Sequence, residues 1–518
     1  MEPGGRGERA GAARGGGGAG VRSLAALARA CPAIAAGNAA PELEVRAYTA
    51  DSRAVQPGTL FVAVPGRQQN GHDHVGEAVA RGAVGVVVER GVGDPGVPVL
   101  RARDARRALA EIAAAWHGHP ARRLTLVGIT GTIGKTSVIT ALHAILRASG
   151  RSVATIGSLG VRIGEQVRET ALTTPEAPLL HEALGEAVEA GCELAAMEVT
   201  SHALVQQRVH GVTFDIGVFT NLLPLEHEDY HGSFREYVRV KVGFLEHLRR
   251  GAPLIHSADD PALRVLAARC RGRAVGCGED ASAAVRVRIE GVHDDGTHLT
   301  LEVRRPLPGP GGGAVAPMEL PLRLRLLGRS NWANAVLAAV TALCTGAQPD
   351  AIAGTLAALP APQRRMQIIH RGRFRVIDDT IGHPESVSAL FETIVLLPHR
   401  RLHIAFAVRG CRGTAINHET GRALAIWARR LPPATLAVTT SEDAADARNR
   451  TSPAELDAFV EPLRRAGHAF VLHPRLSDAV GAVLENASDG DLVLLLGAQS
   501  MDRGAGLARD WLRARGAA

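Results

Sequence analysis

The 518-residue chain is poor in aromatic side chains, which make up 3% of it. Its cores must therefore be packed mainly by alanine, valine and leucine. The six cysteines, Cys31, Cys192, Cys270, Cys277, Cys344 and Cys411, include no C-x-x-C pair and have no histidine cluster beside them. That argues against a zinc module or a disulfide framework and for reduced thiols in a cytoplasmic protein. No run approaches the roughly 18 uninterrupted apolar residues of a membrane span. The glycine- and arginine-rich stretch 1–22 lacks the apolar segment of a signal peptide and is expected to be a disordered tail. The formal net charge of +7 is not gathered into a basic stripe interleaved with aromatics, so no nucleic-acid partner is expected. A binding site for an anionic nucleotide is a milder use of the same charge. No repeat of solenoid period is visible.

What is present is alternating strand and helix patterning, in a length that suggests about three domains. Residues 23–123 hold strand-like runs such as Thr59–Val64 and Val84–Val88 around an alanine-rich helical stretch. Residues 124–358 open with the apolar run Leu124–Ile129, a glycine turn and a helical pattern from Lys135 to Ala148. Further buried strands are expected at Leu194–Val199 and Asp215–Phe219, and alternation with helices implies a parallel sheet. A small antiparallel excursion is expected between about Ala284 and Leu327. Residues 359–518 carry strand runs at Phe374–Ile377, Leu402–Val408, Thr435–Thr439 and Asp491–Leu496, the pattern of a Rossmann-like module. The fold class is α/β.

Strand, glycine turn and helix in that order form the context of a phosphate-binding loop. In Gly131-Thr132-Ile133-Gly134-Lys135-Thr136-Ser137, backbone N–H groups and the helix N-terminus can surround phosphate oxygens. Lys135 can neutralise the β- and γ-phosphates, and Thr136 or Ser137 can offer a hydroxyl to Mg²⁺. The strict G-x-x-x-x-G-K-[ST] pattern is not met, because Ile129 stands at its first glycine.

The loop instead resembles the G-T-x-G-K-T-[ST] variant of the Mur ligase superfamily. Other segments extend the resemblance in the same order along the chain: Asp51-Ser52-Arg53, Gln56–Gly66, Gly71-His72-Asp73, Gly157–Gly160, Leu172–Glu176, Met197–Leu204, Phe219–Leu222 and Asp229–Phe234. Together they are most similar to the ligases that extend UDP-N-acetylmuramoyl-dipeptide. The resemblance implies three domains, with a UDP-sugar-binding N-terminal domain, a central ATPase domain and a C-terminal amino-acid-binding domain. The reaction it implies is ATP-dependent amide formation through an acyl phosphate, by a cytoplasmic monomer that uses ATP, Mg²⁺, a UDP-N-acetylmuramoyl-peptide and an amino acid.

The resemblance also implies residue roles. Lys135, Glu198, His227 and Lys241 belong to the catalytic centre. Thr136, Glu198 and Lys241 belong to the metal sites, with Lys241 corresponding to a lysine that carbamylation turns into an anionic ligand. Solvated Glu198 and surface Lys241 are the alternatives. His227 lies in a segment one residue longer than is usual in the family, which leaves its register open. Gly131, Thr132, Gly134, Lys135, Thr136, Ser137, Asn331, Arg365 and Asp379 fall on the ATP side. Asn331 and Asn334 together resemble the family's adenine-side motif, and for Asn334 membership of a helix N-cap pair is the near-equal alternative. Ser52, Thr173, Thr174, Ser201, Gln206 and Arg208 match positions that hold the UDP-sugar-peptide.

The chain also departs from the pattern. Ile133 stands where the family has asparagine. Asp379-Thr380-Ile381-Gly382-His383-Pro384 replaces D-Y-A-H-x-P. The D-N-P-R signature falls at Ser441-Glu442-Asp443-Ala444 without its arginine, and G-K-G-H-E falls at Gly497-Ala498-Gln499-Ser500-Met501. A diaminopimelate carboxylate then lacks an evident partner, whereas Glu442 or Asp443 could meet the side-chain ammonium of lysine or ornithine. Two alternatives stand beside the stem-peptide ligase: a Mur-type ligase acting on another carboxylate, and a nucleotide-binding paralogue without catalysis.

Overall fold

A computed structural model describes residues 22–35, 40–66, 69–223, 232–268, 270, 274–293, 295–446 and 449–516. Residues 1–21 of the expected tail and His227 lie outside the described residues, whereas Arg22 pairs with Val45 in a short antiparallel strand. The chain divides into two compact units: 1–286 with 302–318 and 336–352, and 287–301 with 319–335 and 353–518.

In the first unit, β1 (Ala47–Thr49), β2 (Thr59–Val62), β3 (Ala83–Val88) and β4 (Val99–Arg101) form a parallel sheet in that order. Helix α1 (Ala105–Trp116) covers it, its first turn capped by the Asp104 carboxylate. A second sheet is built on β5 (Thr125–Thr130), which the sequence reading places one residue early. Its apolar residues are buried on both faces, as in a parallel sheet whose crossover helices cover both sides. After β5 come α2 (Lys135–Ala148), β6 (Val153–Gly157), α3 (Ala177–Glu189), β7 (Leu194–Glu198), α4 (Ser201–Val205) and β8 (Ile216–Phe219). Helix α5 (Phe234–Val242) and strands β9 (Leu254–Ser257) and β10 (Ala274–Gly278) follow. The order β6-β7-β5-β8-β9-β10 places β5 between β7 and β8, with Glu198 opposite Ile129 and Phe219 opposite Thr130. The ends of these three strands therefore meet at the glycine turn.

Helix α2 is the length the sequence predicts. Its face of Val138, Ile139, Ala141, Leu142, Ile145 and Leu146 is buried, a spacing of three and four residues that makes one apolar stripe. The expected excursion between 284 and 327 contains strands Val285–His293, Gly296–Val303 and Met318–Leu324.

In the second unit, β11 (Gln367–Arg371), β12 (Arg375–Asp379), β13 (Leu402–Ala407), α6 (Thr414–Arg430), β14 (Thr435–Thr439), β15 (Val471–His473), α7 (Leu476–Glu485) and β16 (Leu492–Gly497) build another sheet. Its order is β11-β12-β16-β13-β14-β15, parallel except for the edge strand β11. Two cores flank it. One is built on Val387, Phe391, Leu424 and Phe459, the other on Leu476, Val480, Val483 and Leu512. This is the doubly wound arrangement expected of residues 359–518.

Leu142 is fully buried on the apolar face of α2. Leu142→Ala is expected to cost about 2–5 kcal/mol through lost burial and the cavity left behind. Val265→Ala, at a 69% exposed position, is expected to stay within about 0.5 kcal/mol. Chemical denaturation of the two variants beside the parent measures both.

Candidate active site

The glycine turn leaves β5 with Gly131 at φ 136° and enters α2 with Gly134 at φ 90°. Both values are open to glycine and costly for other residues. A side chain at Gly131 would also collide with the Thr220 hydroxyl. The turn is braced from β8. Asn221 accepts the Thr132 N–H on its backbone oxygen (3.0 Å) and the Ile133 N–H on Oδ1 (3.0 Å). Its Nδ2 and the Thr220 hydroxyl both donate to the Ile133 carbonyl, at 3.0 and 2.6 Å. Thr132 is fixed through its own hydroxyl, which accepts from the Tyr237 hydroxyl (3.0 Å) and from Leu223 N–H (3.0 Å). The N–H groups of Thr132 and Ile133 are thus spent inside the protein. The first turn of α2, beginning at Lys135, carries the donors that helix geometry leaves over. The Ile133 side chain is 38% exposed. Isoleucine, where the resemblance expects asparagine, fits this turn because residue 133 is held through its backbone.

Two lysines converge beneath the turn. Lys135 Nζ donates to the carbonyls of Gly131 and Thr132, both at 2.9 Å. Lys241, on α5, donates to the same Gly131 carbonyl at 3.0 Å and to the Thr130 hydroxyl at 3.2 Å. Sharing one oxygen keeps the two nitrogens within about 6 Å of each other. Lys241 is 2% exposed, so it is not the surface lysine of the alternative reading.

Glu198 ends β7 and is 1% exposed, which removes the reading of a solvated strand end. Its carboxylate accepts the Thr136 hydroxyl at 3.1 Å, the Ser158 N–H at 2.9 Å and the Ser158 hydroxyl at 3.4 Å. Gly157 makes room for it, since a side chain there would strike Oε1. The Ser158 hydroxyl lies 3.1 Å from that of Thr173. Thr174 donates to the Glu198 carbonyl (2.8 Å) and accepts the Thr200 N–H (3.1 Å). Arg208 binds the Thr174 carbonyl (2.8 Å), Gln206 Oε1 (2.6 Å) and the Glu176 carboxylate (3.0 Å). Ser201 is buried at the start of α4, just after the Thr200 cap.

The structure thus gathers Lys135, Thr136, Glu198, Lys241, Thr173, Thr174, Ser201, Gln206 and Arg208 around the ends of β5 and β7. Ser137 is half-buried in the first turn of α2. Ser52 is placed elsewhere in the unit, in a turn after β1, where its hydroxyl donates to Glu77 at 2.9 Å. Thr220, Asn221, Tyr237 and Ser158 lie in or next to motifs read from the sequence, but their service to the turn is tertiary and had no local signal.

In the second unit, Asn331 Nδ2 donates to the carbonyls of Leu327 (2.7 Å) and Arg365 (2.9 Å). Asn331 and Asn334 stand inside helix Arg329–Cys344, so neither is its cap. Asp379 accepts the Met366 N–H at 2.9 Å. Burial raises its pKa from 3.8 to about 7, against the lowering effects of that bond and of Arg365. Asn331, Arg365 and Asp379 therefore form one cluster. Asp443 has a different task from the one its position in the sequence suggested. Its carboxylate caps α7 by accepting the N–H groups of Leu476 (2.6 Å) and Ser477 (3.2 Å). It is not spare for a substrate ammonium, and Glu442 is exposed.

Three family models match the chain in succession: "Mur ligase family, catalytic domain" at residues 44–117, "Mur ligase middle domain" at 129–342 and "Mur ligase, glutamate ligase domain" at 364–499. The UDP-N-acetylmuramyl-tripeptide synthetase of Roseiflexus sp. is 34% identical over 472 residues, spanning 88% of this chain and 89% of its own length. The UDP-N-acetylmuramoyl-L-alanyl-D-glutamate–2,6-diaminopimelate ligase of Chlorobaculum tepidum is 34% identical over 467 residues, spanning 88% of this chain and 87% of its own. A solved structure of a 2,6-diaminopimelate ligase of this kind covers 96% of the chain and 99% of its own with a TM-score of 0.71 at 19% identity. MurF ligase from Thermotoga maritima in complex with ADP gives 0.59 at 18% identity, covering 90% and 98%.

Two outcomes follow from this geometry. Gly157→Ala is expected to displace the Glu198 carboxylate and lower the rate of ATP turnover at least tenfold, while the melting temperature moves by only a few degrees. An unchanged rate would show that the site tolerates a shifted Glu198. The Asp379 carboxyl ionises near 3.8 when unfolded and near 7 when folded. The folded state then holds the extra proton between these values, so stability falls as pH rises from about 4 to about 7. Asp379→Asn removes that fall, and its melting temperature should decline less than the parent's across this range.

Proposed function

This chain belongs to the Mur ligase family, a family of ATP-dependent ligases that form amide bonds, and from that premise we propose that it joins an amino acid to the terminal carboxylate of a UDP-N-acetylmuramoyl-dipeptide in peptidoglycan precursor synthesis. The three domains of this reading are 23–123 for the UDP-sugar, 124–358 for ATP and 359–518 for the amino acid. Relatives at 34% identity carry the names of such ligases along nearly their whole length.

The observation that carries the chemistry is the node of Thr136, Glu198, Lys135 and Lys241 at the ends of β5 and β7. Triphosphate, substrate carboxylate and acyl phosphate would bring several negative charges together, and the site must supply cations and oriented donors. Lys135 and the first turn of α2 provide them at the phosphates. The hydroxyl of Thr136 and the carboxylate of Glu198, adjacent and all oxygen, fit a hard cation such as Mg²⁺, which would neutralise phosphate charge when bound. Lys241 is enclosed beside a second ammonium. Its carbamylation would replace like charges by opposite ones and add an oxygen ligand. His227 completes this reading of the catalytic centre. Gly131, Thr132 and Gly134 shape the phosphate loop, with Ser137 behind it, and Asn331, Arg365 and Asp379 serve the nucleotide's other end. Thr173, Thr174, Ser201, Gln206 and Arg208 position the dipeptide close to Glu198, and Ser52 contacts the uridine side. The carboxylate is activated by transfer of the γ-phosphoryl group, releasing ADP. The amine then attacks the acyl carbon and expels phosphate.

The test is phosphate release from ATP and Mg²⁺ with the UDP-N-acetylmuramoyl-dipeptide and a panel of amino acids. Release should require both the nucleotide sugar and one amino acid. Lys135→Ala should lower kcat by about a hundredfold or more. Absence of release with every amine would sink the ligase reading.

A further inference from the structure

The second unit carries a concave basic surface that the reaction proposed above does not use. A cavity of about 360 Å³ opens between α6 and helix Pro453–Arg465, within the size range of small-molecule sites. Four arginines line it: Arg422, Arg429 and Arg430 from α6, and Arg465 from the facing helix. Ile426 and Pro462 add apolar lining between them. Arg422, Ile426 and Arg430 follow one another at intervals of four, so α6 presents them on one face. The two helices are held close together. A side chain at Gly421 would strike the Phe459 carbonyl, and His468 Nε2 donates to the Ala425 carbonyl at 2.9 Å. The walls of the cavity are therefore set by packing within the protein.

This cavity lies away from the edge of the sheet that carries Asp379. Helix α6 leaves the end of β13 and returns along the sheet to the start of β14 at Thr435. Its 17 residues span about 25 Å. Arg429 and Arg430, at its end, thus stand where the parallel strands begin, opposite the edge where Asp379, Ala407 and Gly497 end them.

Charge in the cavity is not balanced. Glu461 pairs with Arg465 at 2.8 Å and lies 3.4 Å from His418, which also meets Glu419 at 3.3 Å. Glu419 in turn holds Arg422 at 2.6 Å. Arg430 stacks over the Trp427 ring, 5.1 Å from its centroid. Neither Arg429 nor Arg430 has a carboxylate partner among the described residues. Arginines in a last turn also complement the helix dipole, but Arg422 stands about two turns earlier in the same cavity. Two guanidinium groups without a counter-ion, each a planar fork of donors, suit phosphate oxygens.

We propose that this cavity is a second anion site, which takes a small soluble molecule carrying a diphosphate or a comparable polyanion. Arg429 and Arg430 are its principal cations, with Arg422 and Arg465 at its sides. The site is separate from the phosphate loop and does not depend on the ligase reading. Glu461 sets a threshold, since a singly charged anion gains little against it and a polyanion outweighs it.

The experiment is calorimetric titration of inorganic pyrophosphate, without metal, into the full chain carrying Lys135→Ala, which weakens the phosphate loop. One pyrophosphate per chain should bind. Adding Arg429→Gln with Arg430→Gln should weaken binding at least tenfold. Arg429→Lys with Arg430→Lys should weaken it less, because the charge is kept without the planar fork. Both positions are exposed, so the melting temperatures of the unliganded variants should agree within a few degrees. In a second arm, phosphatidylglycerol vesicles should leave the chain in solution on sedimentation. The assignment is overturned by no binding in Lys135→Ala, by binding that the arginine variants leave unchanged, or by capture on vesicles without binding of pyrophosphate.

Discussion

A carboxylate withdrawn from water must be surrounded by donors or cations, and much of the first unit's site is arranged around one such group. Glu198 ends a buried parallel strand and is 1% exposed. Its oxygens are satisfied by Thr136 at the start of α2 and by Ser158 after β6, so the partners follow β5 and β6, the two strands on either side of β7. The same residue's carbonyl orients Thr174, which is tied in turn to Arg208. One enclosed charge therefore couples the phosphate-binding turn to the segment proposed to hold the dipeptide. It depends on Gly157, since any side chain there would occupy the carboxylate's place.

The cationic half of the site is built by the same economy. Lys135 and Lys241 come from different helices and share the Gly131 carbonyl. Two ammonium groups so close repel each other, and the carbonyl and hydroxyl oxygens they donate to offset part of that repulsion. The result is a pre-organised positive floor beside a negative wall. Such a floor suits a polyphosphate, whose charge would otherwise have to be neutralised by reorganising solvent.

Parts of this were legible along the chain and parts were not. Strand β5, the glycine turn and α2 were read almost to the residue, because a short apolar run, paired glycines and a three-and-four spacing are local signals. The buried state of Glu198 and Lys241 was not readable, since each is enclosed by segments distant in sequence. Asn221 illustrates the limit. It lies in a motif that could be quoted, but its bracing of Thr132 and Ile133 exists only once β8 lies beside β5. The same bracing explains why isoleucine is tolerated where the resemblance expects asparagine. Asp443 marks an error of inference: an acid at a substrate-facing position of the motif was read as a ligand for an ammonium. Its nearest demand is the helix start 33 residues further on.

The sequence by itself determined the α/β class, the phosphate loop, the order of the motifs and hence the ligase family, because these rest on periodicity, turn chemistry and colinear short patterns. Only the tertiary structure decided which polar groups are spent and which remain available. Satisfaction of a donor or acceptor depends on partners brought from other strands, and no local pattern carries that information. That distinction moved Asp443 from binding to capping.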